Sequence, residues 1–253
     1  MEPYKLLNQI IDTYQRILDN NLVGIYLHGS LAMNCYNDSS DIDFVVVVKQ
    51  PIDFSTKKEL IHAIIQLENV PPKGVEMSVI LERFAHEIVH PTPFELHYSN
   101  FHKERYLSDN NYICGGYTDP ELAAHLTIIF HRGKCLYGKE IDEVFTDVPR
   151  DIYIDAIWYD IKNAKNEIVD DAVYFTLNLC RVLYYVTEGV ICSKLEGGYW
   201  GQENLPQRYR KIIGDAVKVY IGQLGEMNIT DVRLLSFAEY MLHEIRKNIM
   251  PIK

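Results

Sequence analysis

The chain has 253 residues, room for one large domain or two small ones, and its 47% hydrophobic and 24% charged residues are ordinary for a globular protein. No apolar run approaches bilayer length, and the opening Met-Glu-Pro-Tyr-Lys lacks a secretory pattern, so a cytoplasmic protein without membrane contact is expected. The net charge of −10 offers no counterion-release affinity for a phosphate backbone, which argues against a nucleic-acid partner and favours cations, both metal ions and polyamine-like small molecules.

The elements follow from hydrophobic period and punctuation. Residues 4–18 place Leu7, Ile10, Ile11, Tyr14, Ile17 and Leu18 on one helical face. Leu22 to Leu27 reads as a buried strand ending at Gly29-Ser30, and Asp41 to Val48 as a second with heavy β-branching. Thr56-Lys57-Lys58-Glu59 resembles a capping box opening a helix to about Leu67. Gly74 to Leu81 is a third strand and Phe94 to Tyr98 a fourth. Asp119-Pro120 then opens a helix to Phe130, Pro149 a long helical pattern to about Ile168, and Asp170-Asp171 a helix capped by Gly189. Two more helices fit Pro206 to Tyr220 and Thr230 to Ile249. Strands early and helices late define an α+β catalytic domain over 1–149 followed by a helical bundle over 150–253.

The cysteines (Cys35, Cys114, Cys135, Cys180 and Cys192) are odd in number and scattered, with no C-x-x-C pair, which excludes a disulfide framework and the usual zinc spacings. His86 and His90 stand four apart without a third ligand and read as solvated helix positions.

The strongest chemical pattern is Gly29-Ser30, ten residues, then Asp41-Ile42-Asp43 entering a strand. Alternation puts Asp41 and Asp43 on one side, roughly 6.5–7 Å apart along the backbone. Two adjacent carboxylates repel unless a cation sits between them. A hard divalent ion suits the place, and magnesium is the usual choice beside a triphosphate. Gly29 permits close backbone approach to a phosphate, and the amides after it can bind the anion. Glu76 changes the weight of the pattern: an antiparallel neighbour to the Asp41 strand would bring it beside the two aspartates, as metal ligand or as proton acceptor. A G-S turn or a D-x-D pair alone is commonplace. The three pieces together are specific.

This pattern resembles the nucleotidyltransferase superfamily that shares the DNA polymerase β catalytic core. More closely, the chain is similar to the aminoglycoside adenylyltransferases that modify streptomycin and spectinomycin. Beyond the core the likeness rests on Asp119-Pro-Glu-Leu-Ala123, Leu179-Cys-Arg181 with Thr187-Glu-Gly189, Ser193-Lys194 with Leu205-Pro206, and Val219-Tyr-Ile-Gly-Gln223. The resemblance implies a magnesium site at Asp41 and Asp43, with Glu76 as the base that deprotonates an acceptor hydroxyl. It assigns Gly29, Ser30, Ser40, Asp119, Arg181, Lys194 and Tyr220 to the nucleotide, with Lys194 on the triphosphate. Phe101 stands where such enzymes carry a tryptophan at the drug site, and Glu167 and Asp171 match acidic positions facing the cationic acceptor. His28 replaces the usual aromatic before Gly-Ser, a change expected to be tolerated.

The residues themselves leave some roles open. Arg181 lies among apolar neighbours and needs a buried partner or a ligand, so a salt bridge and a phosphate contact compete. Asp119 competes as a helix cap, and Tyr184 and Tyr185 read as core packing. The expected activity is transfer of AMP from ATP to a hydroxyl of an aminoglycoside or aminocyclitol by a monomer, both domains contributing residues. The alternatives are another small-molecule or protein acceptor, or a non-catalytic nucleotide-binding regulator.

Overall fold

A computed structural model describes residues 2–37 and 40–249. The chain divides into two compact units, 1–152 and 153–253. Unit 1 runs α1 (Glu2–Leu18), β1 (Leu22–Leu27), α2 (Gly29–Ala32), β2 (Ile42–Val48), α3 (Phe54–Ile65), β3 (Val75–Leu81), α4 (Glu82–His86), β4 (Thr92–Phe94), β5 (Leu96–Tyr98), α5 (Asn100–Ser108), β6 (Tyr117–Asp119), α6 (Leu122–Arg132), β7 (Lys134–Gly138) and α7 (Ile141–Val144). After α8 (Arg150–Ile161), in which the division falls, unit 2 holds α9 (Ala164–Glu167), α10 (Ala172–Glu188), α11 (Lys194–Asn204), α12 (Arg210–Tyr220) and α13 (Asp231–Ile249). Among the described residues no helix is long and apolar enough to cross a membrane.

Unit 1 is built on a five-stranded mixed sheet, ordered β5-β3-β2-β1-β7. Strand β2 is central and buried on both faces, which is why its sequence is a continuous β-branched run rather than an alternation. Phe44, Val46 and Val48 join Met77 and Val79 of β3 in a core closed by Leu7, Ile10 and Tyr14 of α1 and Leu60, Ile61 and Ile64 of α3. The Tyr14 hydroxyl donates to the Leu60 carbonyl at 3.2 Å, so even this buried phenol is satisfied. On the opposite face Tyr26 packs edge-on against Phe145 at 4.7 Å between centroids.

Several boundaries differ from expectation, each for a local reason. α3 starts at Phe54 because Asp53, not Thr56, is its cap: the Asp53 carboxylate accepts the Thr56 amide at 2.8 Å. The fourth strand is two strands in two sheets, with β4 pairing β6 and β5 pairing β3. Asp119 ends β6, its carboxylate accepting the Glu121 amide at 2.7 Å, and the helix opens later, at Leu122. The pattern after Pro149 breaks between Ile161 and Ala164, giving α8 and α9. His86 ends α4 while His90 lies beyond it before Pro91, so the two do not share a helix. The short strand β7, pairing the free side of β1, had no expected counterpart.

Unit 2 centres on α10, which contacts α9, α11, α12 and α13. It begins where the Asp171 carboxylate accepts the Tyr174 amide at 3.1 Å and ends at Gly189 in the left-handed region, as its sequence foretells. The glycines of α11 allow a very close approach to α10. A Cβ on Gly197 would lie 2.7 Å from Arg181 Cα, and one on Gly201 2.8 Å from Cys180 Sγ. α11 itself opens on a full capping box, Ser193 and Glu196 exchanging hydrogen bonds with each other's backbone amides. All five cysteines are free thiols, Cys180 and Cys192 buried and the other three half-buried.

Candidate active site

The neighbouring strand that carries Glu76 runs parallel to β2, not antiparallel. The connection between them passes through α3, a crossover of the kind parallel strands require. The consequence for the site is nevertheless the expected one, because the register sets Asp43 opposite Glu76. Asp41, immediately before β2, completes a group of three half-buried carboxylates. One oxygen from each lies within 4.8 Å of the other two. Ile42 between the aspartates is fully buried on the α1–α3 side, which commits both carboxylates to the opposite face.

The turn after β1 delivers the rest. The His28 amide donates to the Asp43 carbonyl at 3.0 Å, fixing the end of β1 beside the start of β2. Gly29 has φ +65°, and a Cβ there would meet Asp43 Oδ2 at 1.8 Å, so only glycine fits against this carboxylate. Ser30, the second residue of α2, has a buried Oγ with no hydrogen-bond partner among the described residues. Ser40, immediately before Asp41, is buried, its Oγ accepting the Asn37 amide at 3.1 Å.

Histidines line the same sheet face. His28 is buried with its ring 4.8 Å from that of His125, and burial, then His125, drives its basicity well below the ordinary value. The two rings are tilted by 36° to one another. His97 Nδ1 shares a 3.0 Å hydrogen bond with Ser78 Oγ. Burial, with smaller contributions from His102 and His125, pushes the His97 pKa down to about 4. Phe101, near the start of α5, is 89% exposed, its ring edge-on to His102. No signal but alternation on β5 could have located His97.

In unit 2 the assigned residues take different places. Arg181 makes an ion pair, its Nη2 3.4 Å from Asp160 Oδ2, while its buried Nε has no partner among the described residues. Burial opposes the guanidinium charge, yet Asp160 and the surrounding phenols outweigh it and hold the pKa above the ordinary value. Lys194, the first residue of α11, places its ammonium 4.6 Å from the centre of the Tyr174 ring. Tyr220 ends α12 and is half-buried. Glu167 is exposed at the end of α9, and Asp171 is spent in part on capping α10. Tyr185 packs edge-on against Tyr153 and Tyr184 stacks on Trp200 at 4.8 Å. Sequence reasoning passed over Asp160, Tyr174 and Asn178. Its available signal was the polar stripe Tyr174, Asn178, Arg181 at i, i+4, i+7 of an otherwise apolar helix.

A mixed sheet with an aspartate pair entering one strand, a glutamate across from it and a Gly-Ser turn beside both defines a polymerase β-type nucleotidyltransferase. Residues 8–90 match the polymerase β nucleotidyltransferase family, and residues 143–244 match the aminoglycoside adenylyltransferase C-terminal domain. The chain is 27% identical to the spectinomycin 9-adenylyltransferase of Enterococcus faecalis, covering 98% of each. It is 25% identical to the aminoglycoside (3'')(9) adenylyltransferase of Klebsiella pneumoniae over 95% of this chain and 94% of that one. Among solved structures, the Enterococcus faecalis spectinomycin adenyltransferase AAD(9) with ATP and spectinomycin superposes with a TM-score of 0.84 at 25% identity, covering 96% of this chain and 99% of that one. The chain thus joins a polymerase β-type nucleotidyltransferase domain to an aminoglycoside adenylyltransferase C-terminal domain.

Proposed function

We propose that the protein transfers AMP from ATP to a hydroxyl of a cationic aminocyclitol or aminoglycoside antibiotic, spectinomycin or streptomycin being the representative acceptors, and so confers resistance. The observation that carries this reading is the convergence of Asp41, Asp43 and Glu76 beside Gly29. Three hard oxygen donors within 4.8 Å suit a small divalent cation, and Asp41 and Asp43 are the residues that would hold magnesium. Bound there, magnesium would supply charge neutralisation at the α-phosphate.

The remaining work falls to the chain. Glu76 takes the proton of the acceptor hydroxyl. The freed oxygen forms its bond to the α-phosphorus while the bond to the bridging oxygen breaks and pyrophosphate leaves. Gly29, Ser30, Ser40 and Asp119 in unit 1, and Arg181, Lys194 and Tyr220 in unit 2, contact the donor, with the Lys194 ammonium offsetting charge on the pyrophosphate. Phe101, Glu167 and Asp171 face the acceptor, where carboxylates favour amine-bearing molecules. The reading takes the protein as a cytoplasmic monomer without nucleic-acid partners.

The test is direct. Purified protein with ATP and magnesium is offered spectinomycin, streptomycin and a panel of other aminoglycosides, scoring pyrophosphate release and a product heavier by one AMP moiety. Donor consumption with none of these acceptors, but with another metabolite or a protein, overturns the acceptor. Nucleotide binding without turnover on any of them favours the regulator instead.

A further inference from the structure

In unit 2 one carboxylate organises the groups assigned to the donor. Asp160, on α8, accepts the Tyr174 hydroxyl at 2.6 Å on Oδ1, and on Oδ2 the Asn178 amide at 2.6 Å and Arg181 Nη2 at 3.4 Å. Tyr174 carries the chain of contacts onward, since the Lys194 ammonium sits 4.6 Å from the centre of its ring. The side chains of Arg181 and Asp160 are only 16% and 19% exposed, so the pair is held in a poorly solvated place where a lost counterion is felt. Tyr174, Asn178 and Arg181 share one face of α10, and Gly197 lets α11 approach that face closely at Arg181, three residues beyond Lys194. Asn178 is fully buried with its Oδ1 unpartnered among the described residues, so its amide is oriented for Asp160 alone.

We propose that Asp160 is a positioning residue for donor binding: through Arg181 directly, and through the Tyr174 hydroxyl and ring at one remove, it sets where the Arg181 and Lys194 cations point. The inference rests on the reading above that Arg181 and Lys194 contact the triphosphate. An oriented cation binds a phosphate more tightly than a mobile one because less side-chain freedom is lost on contact. The two arms of Asp160 differ in kind. The Arg181 arm holds charge by charge. The Tyr174 arm fixes the plane of a ring, and with it the direction from which the Lys194 ammonium approaches.

The test measures ATP and acceptor kinetics for Asp160→Asn, Tyr174→Phe, Lys194→Met and the double variant Asp160→Asn/Lys194→Met. Asp160→Asn is expected to raise the KM for ATP about tenfold while the acceptor KM stays within about twofold, and binding of AMP to change far less than binding of ATP. In the double variant the losses are expected to fall well short of multiplying, because Asp160 acts in part on Lys194. A carboxylate that matters only for folding would lower the melting temperature and leave the folded enzyme with the parent's KM for ATP, and that result overturns the proposal. If Asp160→Asn does not fold, Tyr174→Phe decides alone. It keeps the ring and loses only the tether, so a KM for ATP about threefold above the parent supports the proposal and a parent value overturns it. Parent-like ATP kinetics in Lys194→Met would instead overturn the donor assignment itself, and this inference with it.

Discussion

The two units handle buried charge in opposite ways. On the sheet, register and strand alternation bring three carboxylates together, within 4.8 Å, and two histidines of the same face, buried His28 and half-buried His97, have their basicity lowered by their surroundings. In the helical unit a single carboxylate gathers a phenol, an amide and a guanidinium, and the cation keeps its charge. The first arrangement is electrostatically costly until something cationic arrives, whereas the second is internally balanced. A site that must take up a metal and a site that must present fixed cations to an anion are expected to differ in this sense.

The comparison is most exposed at Asp41 and Asp43. Asp41→Asn and Asp43→Asn are each expected to reduce transfer by about 10³-fold or more, the scale of a lost metal site. Removing one of three mutually repelling carboxylates should leave the metal-free melting temperature unchanged or higher. Retained turnover in both variants, or clear destabilisation, would remove the contrast between a strained site and a balanced one. Glu76→Gln comes next, with the chemical step expected to slow by about 10²–10⁴-fold while magnesium and ATP binding stay near normal and a cationic acceptor binds more weakly. Higher pH should return part of the rate, since a more readily deprotonated acceptor bypasses the base. Restoration by excess magnesium alone means that Glu76 is a third ligand rather than the base.

Much of this was legible in residues because it depends on local pattern. The β-branched run of β2, the glycine beside Asp43 and the cap at Asp171 each follow from neighbours within a few positions. The direction of the Glu76 strand was not legible, since parallel and antiparallel pairing place the same alternating face beside Asp43 and only the path through α3 decides between them. That is why the carboxylate group was anticipated on mistaken topology. Asp160 was invisible for another reason. It belongs to α8 while its partners belong to α10, and an aspartate on a helix announces nothing until the packing of the two helices is known. The split of residues 92–98 into strands of two sheets is likewise a tertiary event, as no glycine or proline marks Glu95.

Lys194→Ala tests the balanced side. Loss of a charge-assisted contact to phosphate should weaken ATP use by about 10–100-fold, grow with the number of donor phosphates and barely alter AMP binding. The fold should tolerate it, because the capping box of α11 belongs to Ser193 and Glu196. Equal losses for ATP and AMP would place Lys194 away from the phosphate tail, and unchanged kinetics would leave it no role in donor binding.

The smallest expected effect concerns stability and tests whether the sheet face really excludes positive charge when no metal is bound. His97 is held at about 4 against an ordinary 6.5, chiefly by burial, with His102 and His125 adding and Asp119 opposing. A base depressed in the folded state binds fewer protons there than in the unfolded chain between those two values. Stability contributed by neutral His97 is therefore fully present above about pH 6.5 and is lost progressively as the pH falls toward about 4. The loss is about 3 kcal/mol for a shift of this size. His97→Gln keeps an acceptor for Ser78 and cannot take up a proton, so its unfolding midpoint in urea should fall less steeply between pH 7.5 and 4.5 (~2–3 units, the window set by the linkage). The slope should not vanish, because His28 is depressed in the same direction and still titrates in the variant. Identical slopes in parent and variant would mean that His97 accepts a proton in the folded protein as readily as in water, and the electrostatic contrast between the two units would then rest on the carboxylates alone.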